Sequence, residues 1–343
     1  MLYHSGMDIV FAHFSSPIPK HLILNLQRTA ALFPQNSVIL ITDLDLHKNA
    51  IKNISVHKYT PTQEWKVLDA NLKHSKNFRN NFWLTSTARF LALAEFSVHN
   101  KKEFLHVESD VILAEDFPFA KFSTAGSDFI FPIVSETNAI ASCLYLKNDK
   151  CANYLSSFTI TESKKNNLTT DMYILSALSR DISIRFAPLP TAPAEYYSKS
   201  NSNGDFLQKS DRYLNHFGGV FDGFDLGRYL FGDDPRNARG FSILRENDSR
   251  TYLNVRNLDL VIKPEREFPY IYNSFSDNFI PIYSLHIHSK NLDLFRFKEA
   301  KKLIHYYVSR SKKRPLKIFV FSVFFSSLLK SLKRRLVLLV NSN

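Results

Sequence analysis

Cysteine is nearly absent: Cys143 and Cys151 are the only two in 343 residues. Two thiols make no disulfide framework and fit a reducing compartment. Glycine is also scarce, with nine residues, which excludes collagen-like and glycine-rich linker chains. Acidic residues stop at Glu299. No apolar run reaches the roughly 18 residues of a membrane-spanning helix; the longest, 318–329, has 12 and ends at Lys330. Residues 1–8 carry no basic segment followed by an apolar one, so no signal peptide is expected there. With 44% hydrophobic and 22% charged residues, the chain can bury a substantial core and is not intrinsically disordered.

The net charge of +12 suggests nucleic acid until its distribution is considered. Nine basic residues lie between Arg310 and Arg335 with no acid among them, and they account for all but three of those charges. The body is therefore nearly balanced, which argues against a nucleic-acid partner. The tail runs basic cluster, IFVFSVFFSSLL, KSLKRR, LVLLV. Each apolar stretch is too short to span a bilayer, but together they suit a helix lying in an anionic membrane interface.

Strand and helix signals alternate through the first half. Residues 8–14, 37–43, 54–59, 103–113, 128–134, 142–148 and 184–190 read as strands. Residues 19–33, 82–98 and 169–180 read as helices. This alternation predicts an α/β fold with a Rossmann-type mixed sheet flanked by helices. After Pro190 the pattern is irregular. Residues 198–204 read as a loop, 251–262 and 279–288 as strands, and 296–309 as a helix. Five of the nine glycines fall within 216–237, together with several aspartates. That segment reads either as a loop over an acceptor or as a plain turn-rich excursion.

FLHVESDVIL (104–113) is the most informative segment. Read as one strand, it points Glu108 and Asp110 to the same side, at the end where open α/β sheets bind ligands. Two carboxylates there can hold a divalent cation that neutralises a diphosphate; two acids at a solvated strand end are the alternative. Arg89 sits on a helix apolar on both sides and needs an anion, either a ligand phosphate or an internal acid such as Glu95 or Asp110. Asp171 begins a helix after Thr169-Thr170, where it either caps the helix or serves acid–base chemistry. In YSLHIHSKN (283–291), His286 and His288 alternate and Lys290 follows, which gives either packed strand-end histidines or metal ligands.

The order of STARFLALAEF, FLHVESD, TTDM and the C-terminal histidines resembles that of GT-A-type glycosyltransferases, in particular the glycogenin- and galactosyltransferase-like family. In that family an Arg-bearing helix precedes a strand ending in Asp-x-Asp, and here Glu108 replaces the first aspartate. The resemblance covers roughly residues 8–190 plus the segment near His288. It implies transfer of a sugar from a nucleotide-sugar donor to a hydroxyl of a glycan or lipid-linked acceptor, in cell-envelope polysaccharide or lipopolysaccharide synthesis. It assigns Phe11, Ala12, His13, Arg89, Ser109 and Asn138 to the donor. Glu108, Asp110 and His288, with His286 as the other candidate, go to the metal. Asp171 and Lys290 go to catalysis, Lys290 facing the leaving diphosphate. Imidazole beside carboxylate suits Mn²⁺ better than Mg²⁺. The family retains anomeric configuration, although an acid at 171 also suits an inverting base.

The organisation that follows is a donor-binding core over 1–195, an acceptor-side region over 196–309, and a membrane-association tail over 310–343. The expected location is cytoplasmic, peripheral on the inner face of the cell membrane. Two other classes compete. A sugar-1-phosphate nucleotidyltransferase should carry a glycine-rich, Arg-containing loop after the first strand, where this chain has AHFSSPIPK. A non-enzymatic basic membrane- or nucleic-acid-binding protein leaves the strand-end acids unexplained.

Overall fold

The computed structural model describes residues 6–313 apart from 16, 47–50, 75, 77, 80, 198–203 and 235–250. The expected tail lies outside the described residues from 314 onward.

Strand β1 (Asp8–His13) opens the larger sheet and is followed by α1 (Lys20–Leu32), β2 (Val38–Thr42) and β3 (Ser55–Lys58). Helices α2 (Gln63–Asn71) and α3 (Phe82–Asn100) lead to β4 (Phe104–Val107) and then β5 (Val111–Leu113). Next come α4 (Phe119–Thr124), β6 (Phe129–Pro132), β7 (Cys143–Leu146), α5 (Asp149–Lys165), α6 (Asp171–Leu178) and β8 (Phe186–Leu189). The chain continues through α7 (Gly204–Phe217), β9 (Val220–Phe221), α8 (Asp225–Phe231), β10 (Asp259–Val261), β11 (Tyr270–Asn273), β12 (Asn278–His286) and α9 (Phe297–Lys313).

Seven strands form a mixed sheet in the order β3-β2-β1-β4-β7-β6-β8. Strands β1 to β4 pair in parallel, while β7 runs antiparallel to both neighbours. Both faces are covered. Ile9 and Phe11 of β1 pack with Leu22 and Leu26 of α1, whereas Val10 packs with Phe90 and Leu93 of α3. This two-sided burial explains the near-continuous apolar runs. A smaller sheet, β10-β11-β12-β5 with β9 beside β12, has its own core. Ile304 and Val308 of α9 belong to that core.

The α/β architecture is the one the alternation predicts. Four local readings need correction. In 251–262, read as a strand, Val255–Asn257 form a 3-10 turn and the strand is confined to β10. The run 103–113 is not one strand: β4 belongs to the larger sheet and β5 to the smaller one. Val111 N–H donates to Glu108 O at 3.0 Å, closing a turn over the three polar residues. Strand β12 ends at His286, so His288 lies beyond it. Val98, which helical spacing places on one face with Thr87, Leu91 and Ala94, is exposed although those three are buried.

Candidate active site

The order of strands reverses between β1 and β4: β2 and β3 extend the sheet on one side of β1, and β4 and β7 extend it on the other. Open α/β sheets bind ligands outside the strand ends at such a switch point. A cavity of about 430 Å³ opens there. Ala12 and His13 line it from the end of β1, Glu108, Ser109 and Asp110 from the turn after β4, and Arg89 from α3.

The acidic turn is held from three elements. Asn25, wholly buried in α1, donates through Nδ2 to Val111 O at 2.7 Å and to Ser109 O at 3.2 Å. Glu108 N–H donates to Ser142 O at 3.2 Å, and Ile287 N–H to Asp110 O at 2.7 Å. The last bond draws the end of β12 over the turn, and with it the two histidines.

His286 Nε2 stands 3.2 Å from Asp110 Oδ2 and 3.6 Å from Glu108 Oε2. Its Nδ1 is 2.9 Å from Gly223 O. A carbonyl can only accept, so Nδ1 carries the proton and, in the neutral ring, Nε2 carries a lone pair. The His288 ring stacks on it, with centroids 3.9 Å apart. His288 hydrogen-bonds the Phe224 backbone, and its pKa falls well below the ordinary imidazole value, burial being the first cause and His286 the second. Its Nε2 is buried and has no hydrogen-bond partner. Asp110, His286 and His288 each offer a ligand atom, all within 4.8 Å of one another. An orphaned buried imidazole nitrogen beside a carboxylate fits a divalent cation, and the backbone bonds on the far side of each ring are those that orient metal-binding histidines.

Arg89 occupies the centre of a second cluster. Its Nη1 meets Glu108 Oε1 at 2.6 Å, its Nη2 pairs closely with Asp171, and Nε donates to Ser86 O at 2.6 Å. Burial opposes ionisation of Glu108, but the guanidinium and then His286 hold its carboxyl down at about 2. Burial pushes the Asp171 carboxyl up, Arg89 pulling it back. Lys290 pairs closely with Asp110. Burial lowers the Lys290 ammonium to about 7, with Glu108 opposing that shift and Arg79 adding to it.

Ten of the twelve expected residues line the cavity: Ala12, His13, Arg89, Glu108, Ser109, Asp110, Asp171, His286, His288 and Lys290. Phe11 and Asn138 do not. The Phe11 side chain is wholly buried in the core. Asn138 closes a turn, its Nδ2 bonding Ser135 Oγ and Thr137 Oγ1, each at 3.1 Å. The internal partners of Arg89 are Glu108 and Asp171 rather than Glu95 or Asp110; Glu95 pairs with His57 instead. The cap of α6 is Thr170, which accepts from Tyr173 N–H at 3.2 Å and leaves the Asp171 carboxylate to Arg89. Sequence reasoning named neither Arg79, Trp83 nor Phe224, nor the pair Asp233 and Asp234, all of which line the cavity. The concentration of Gly and Asp in 216–237 was the available signal for the last three.

No protein-family model and no curated protein matches the chain. Among solved structures it is similar to the galactosyltransferase LgtC in complex with donor and acceptor sugar analogues, at 16% identity over 60% of this chain and 83% of that one, TM-score 0.42. An active-site mutant of LgtC gives 17%, with the same coverages and a TM-score of 0.43. Mouse xyloside xylosyltransferase 1 gives 8% identity over 60% of this chain and 93% of that one, TM-score 0.36. These neighbours are glycosyltransferases by name. At such identities and scores the superposition is partial, and the chemistry of the site rests on its own residues.

Proposed function

We propose that the protein is a glycosyltransferase that moves a sugar from a nucleotide-sugar donor to a hydroxyl of a glycan or lipid-linked acceptor. One observation carries this reading. A cation-capable triad, Asp110, His286 and His288, opens into the same switch-point cavity as Lys290 and the Arg89–Glu108–Asp171 cluster. A site for a diphosphate-linked sugar needs fixed positive charge where the leaving group departs and a carboxylate near the reacting sugar, and this cavity supplies both kinds of group. The GT-A assignment, with Glu-Ser-Asp in place of Asp-x-Asp, belongs to this proposal.

Asp110, His286 and His288 would hold the cation, with Glu108 direct or through water; when bound, it supplies positive charge against the donor diphosphate. The mixed nitrogen and oxygen set favours Mn²⁺ over Mg²⁺. Lys290, on leaving Asp110, offers an ammonium to the departing diphosphate. Ala12, His13 and Ser109 form the donor wall. Arg89 holds Glu108 ionised, pairs with Asp171 and presents its guanidinium to donor phosphate or sugar. Asp171 accepts the hydrogen bond or the proton of the acceptor hydroxyl. Residues 1–195 would bind the donor and 196–309 complete the site. The tail from 310 would hold the enzyme on the cytoplasmic face of an anionic membrane, near a lipid-linked or lipopolysaccharide-type acceptor.

Calorimetric titration with nucleoside diphosphates tests the site. Binding should require Mn²⁺ and should be lost in Asp110→Asn, with the circular dichroism spectrum unchanged. Equal affinity in excess EDTA, or in Asp110→Asn, would refute this assignment.

A further inference from the structure

The glycine- and aspartate-rich segment has a contact pattern that lining a cavity does not require. Asp222 follows β9 and is buried. Its carboxylate accepts three backbone N–H groups: Leu226 at 3.0 Å, Gly227 at 2.7 Å and His286 at 2.9 Å. The first two tie down the start of α8. The third comes from the histidine itself, so one carboxylate joins the start of α8 to the end of β12.

Glycine at 227 permits that junction. A Cβ there would lie 2.0 Å from His286 O and 2.7 Å from Asp222 Oδ2, closer than any real contact allows. Between these anchors, Gly223 O receives the Nδ1 proton of His286. The Phe224 backbone bonds the His288 ring. The Phe224 ring stands edge-on to His288, with centroids 6.2 Å apart and planes at 89°. Six consecutive residues, 222–227, thus hold the backbone of one histidine and the rings of both. Capping α8 would need only the Leu226 and Gly227 contacts.

The oxygen side of the site makes the pair consequential. Arg89 engages Glu108 and Lys290 engages Asp110, and of the two carboxylates it is Asp110 whose oxygen is grouped with both imidazoles. The set is two nitrogens and one carboxylate, a donor set suited to transition metals rather than to Mg²⁺. Such a set works only if both rings keep Nε2 aimed at one point, and two stacked imidazoles have no intrinsic reason to do so.

We propose that the segment 222–227 is a positioning device that fixes both imidazoles for one cation, with Asp222 as its positioning residue and both His286 and His288 as ligands. The proposal rests on the reading that this triad holds a metal.

Titration of the full-length protein with Co²⁺, followed by its visible absorption bands, tests the proposal, with Mn²⁺ calorimetry in parallel and thermal melting without metal. Disturbing groups that orient metal ligands costs about 10- to 100-fold in metal affinity. Asp222→Asn should show that loss together with altered Co²⁺ bands. Phe224→Leu, at a partly exposed position that leaves the backbone bonds in place, should show a smaller loss in the same direction and melt like the parent. His286→Ala and His288→Ala should each weaken binding. If Asp222→Asn melts earlier yet binds Co²⁺ with parental affinity and spectrum, it only caps a helix and the proposal fails. The proposal also fails if either histidine can be removed without loss. Should Asp222→Asn not fold, Phe224→Leu decides, and undiminished affinity there overturns the inference. A parent protein that binds neither Co²⁺ nor Mn²⁺ overturns the metal reading itself and this inference with it.

Discussion

Replacing Arg89 by Met keeps the length and apolar volume of the side chain and removes its charge. The side chains of Arg89, Glu108 and Asp171 are only 11%, 14% and 8% exposed, so the two carboxylates would face each other with little water to screen them. Breaking a buried ion pair from one side costs about 3–5 kcal/mol. Protonation sets a ceiling of similar size. Neutralising a carboxyl of ordinary pKa 4.5 at pH 7.5 costs about 4 kcal/mol, at 1.36 kcal/mol per pH unit. Arg89→Met should therefore lose about 3–5 kcal/mol in urea unfolding at pH 7.5 in EDTA, followed by tryptophan fluorescence. Adding Asp171→Asn should recover part of this. Adding Glu108→Gln as well should bring stability near the parent, since replacing every member of a buried charge cluster is far milder than removing one. A single variant within about 1 kcal/mol of the parent, or a triple variant less stable than the single one, would refute the view that Arg89 holds two otherwise uncompensated acids.

Asn25→Ala should cost about 1–3 kcal/mol, because the carbonyls of Val111 and Ser109 lose a buried donor. The same variant should weaken Mn²⁺ binding in calorimetry, since the turn it secures carries Asp110; unchanged metal affinity would show that other contacts suffice. Truncation after Ser309 removes nine basic residues. It should release the protein from anionic vesicles in sedimentation at low salt, each lost charge near the surface being worth about 1 kcal/mol. Equal sedimentation of the two forms would count against the membrane tail.

The sequence was most legible where physics is local. Strands β1 and β2 are short apolar runs buried on both faces, and they fall within a residue or so of their expected ends. Helix α5 was not foreseen. Its Ser156, Ser157, Thr159 and Thr161 are indifferent helix formers, and packing of Cys151, Ala152 and Leu155 decides its state. Helix α7 was missed behind a polar stretch, although Phe206, Ser210, Tyr213 and Phe217 form one buried stripe. The break in 103–113 was invisible because valines flank Glu-Ser-Asp on both sides. Only β12, more than 160 residues later, draws β5 into another sheet. The site residues were legible by type, since Glu108, Asp110 and the histidines are the groups that bind cations. Their partners were not: Arg89 choosing Asp171, and Asn25 securing the turn, depend on how distant elements meet.

Turnover of the donor tests the central claim most directly. A panel of nucleotide sugars should be incubated with the full-length protein and Mn²⁺, and released nucleoside diphosphate measured with and without acceptor glycans. The account predicts that at least one donor is hydrolysed, faster with an acceptor, and that EDTA or Asp110→Asn abolishes the release. Hydrolysis at full rate in excess EDTA, or no release from any nucleotide sugar by a folded, Mn²⁺-loaded protein, would contradict it.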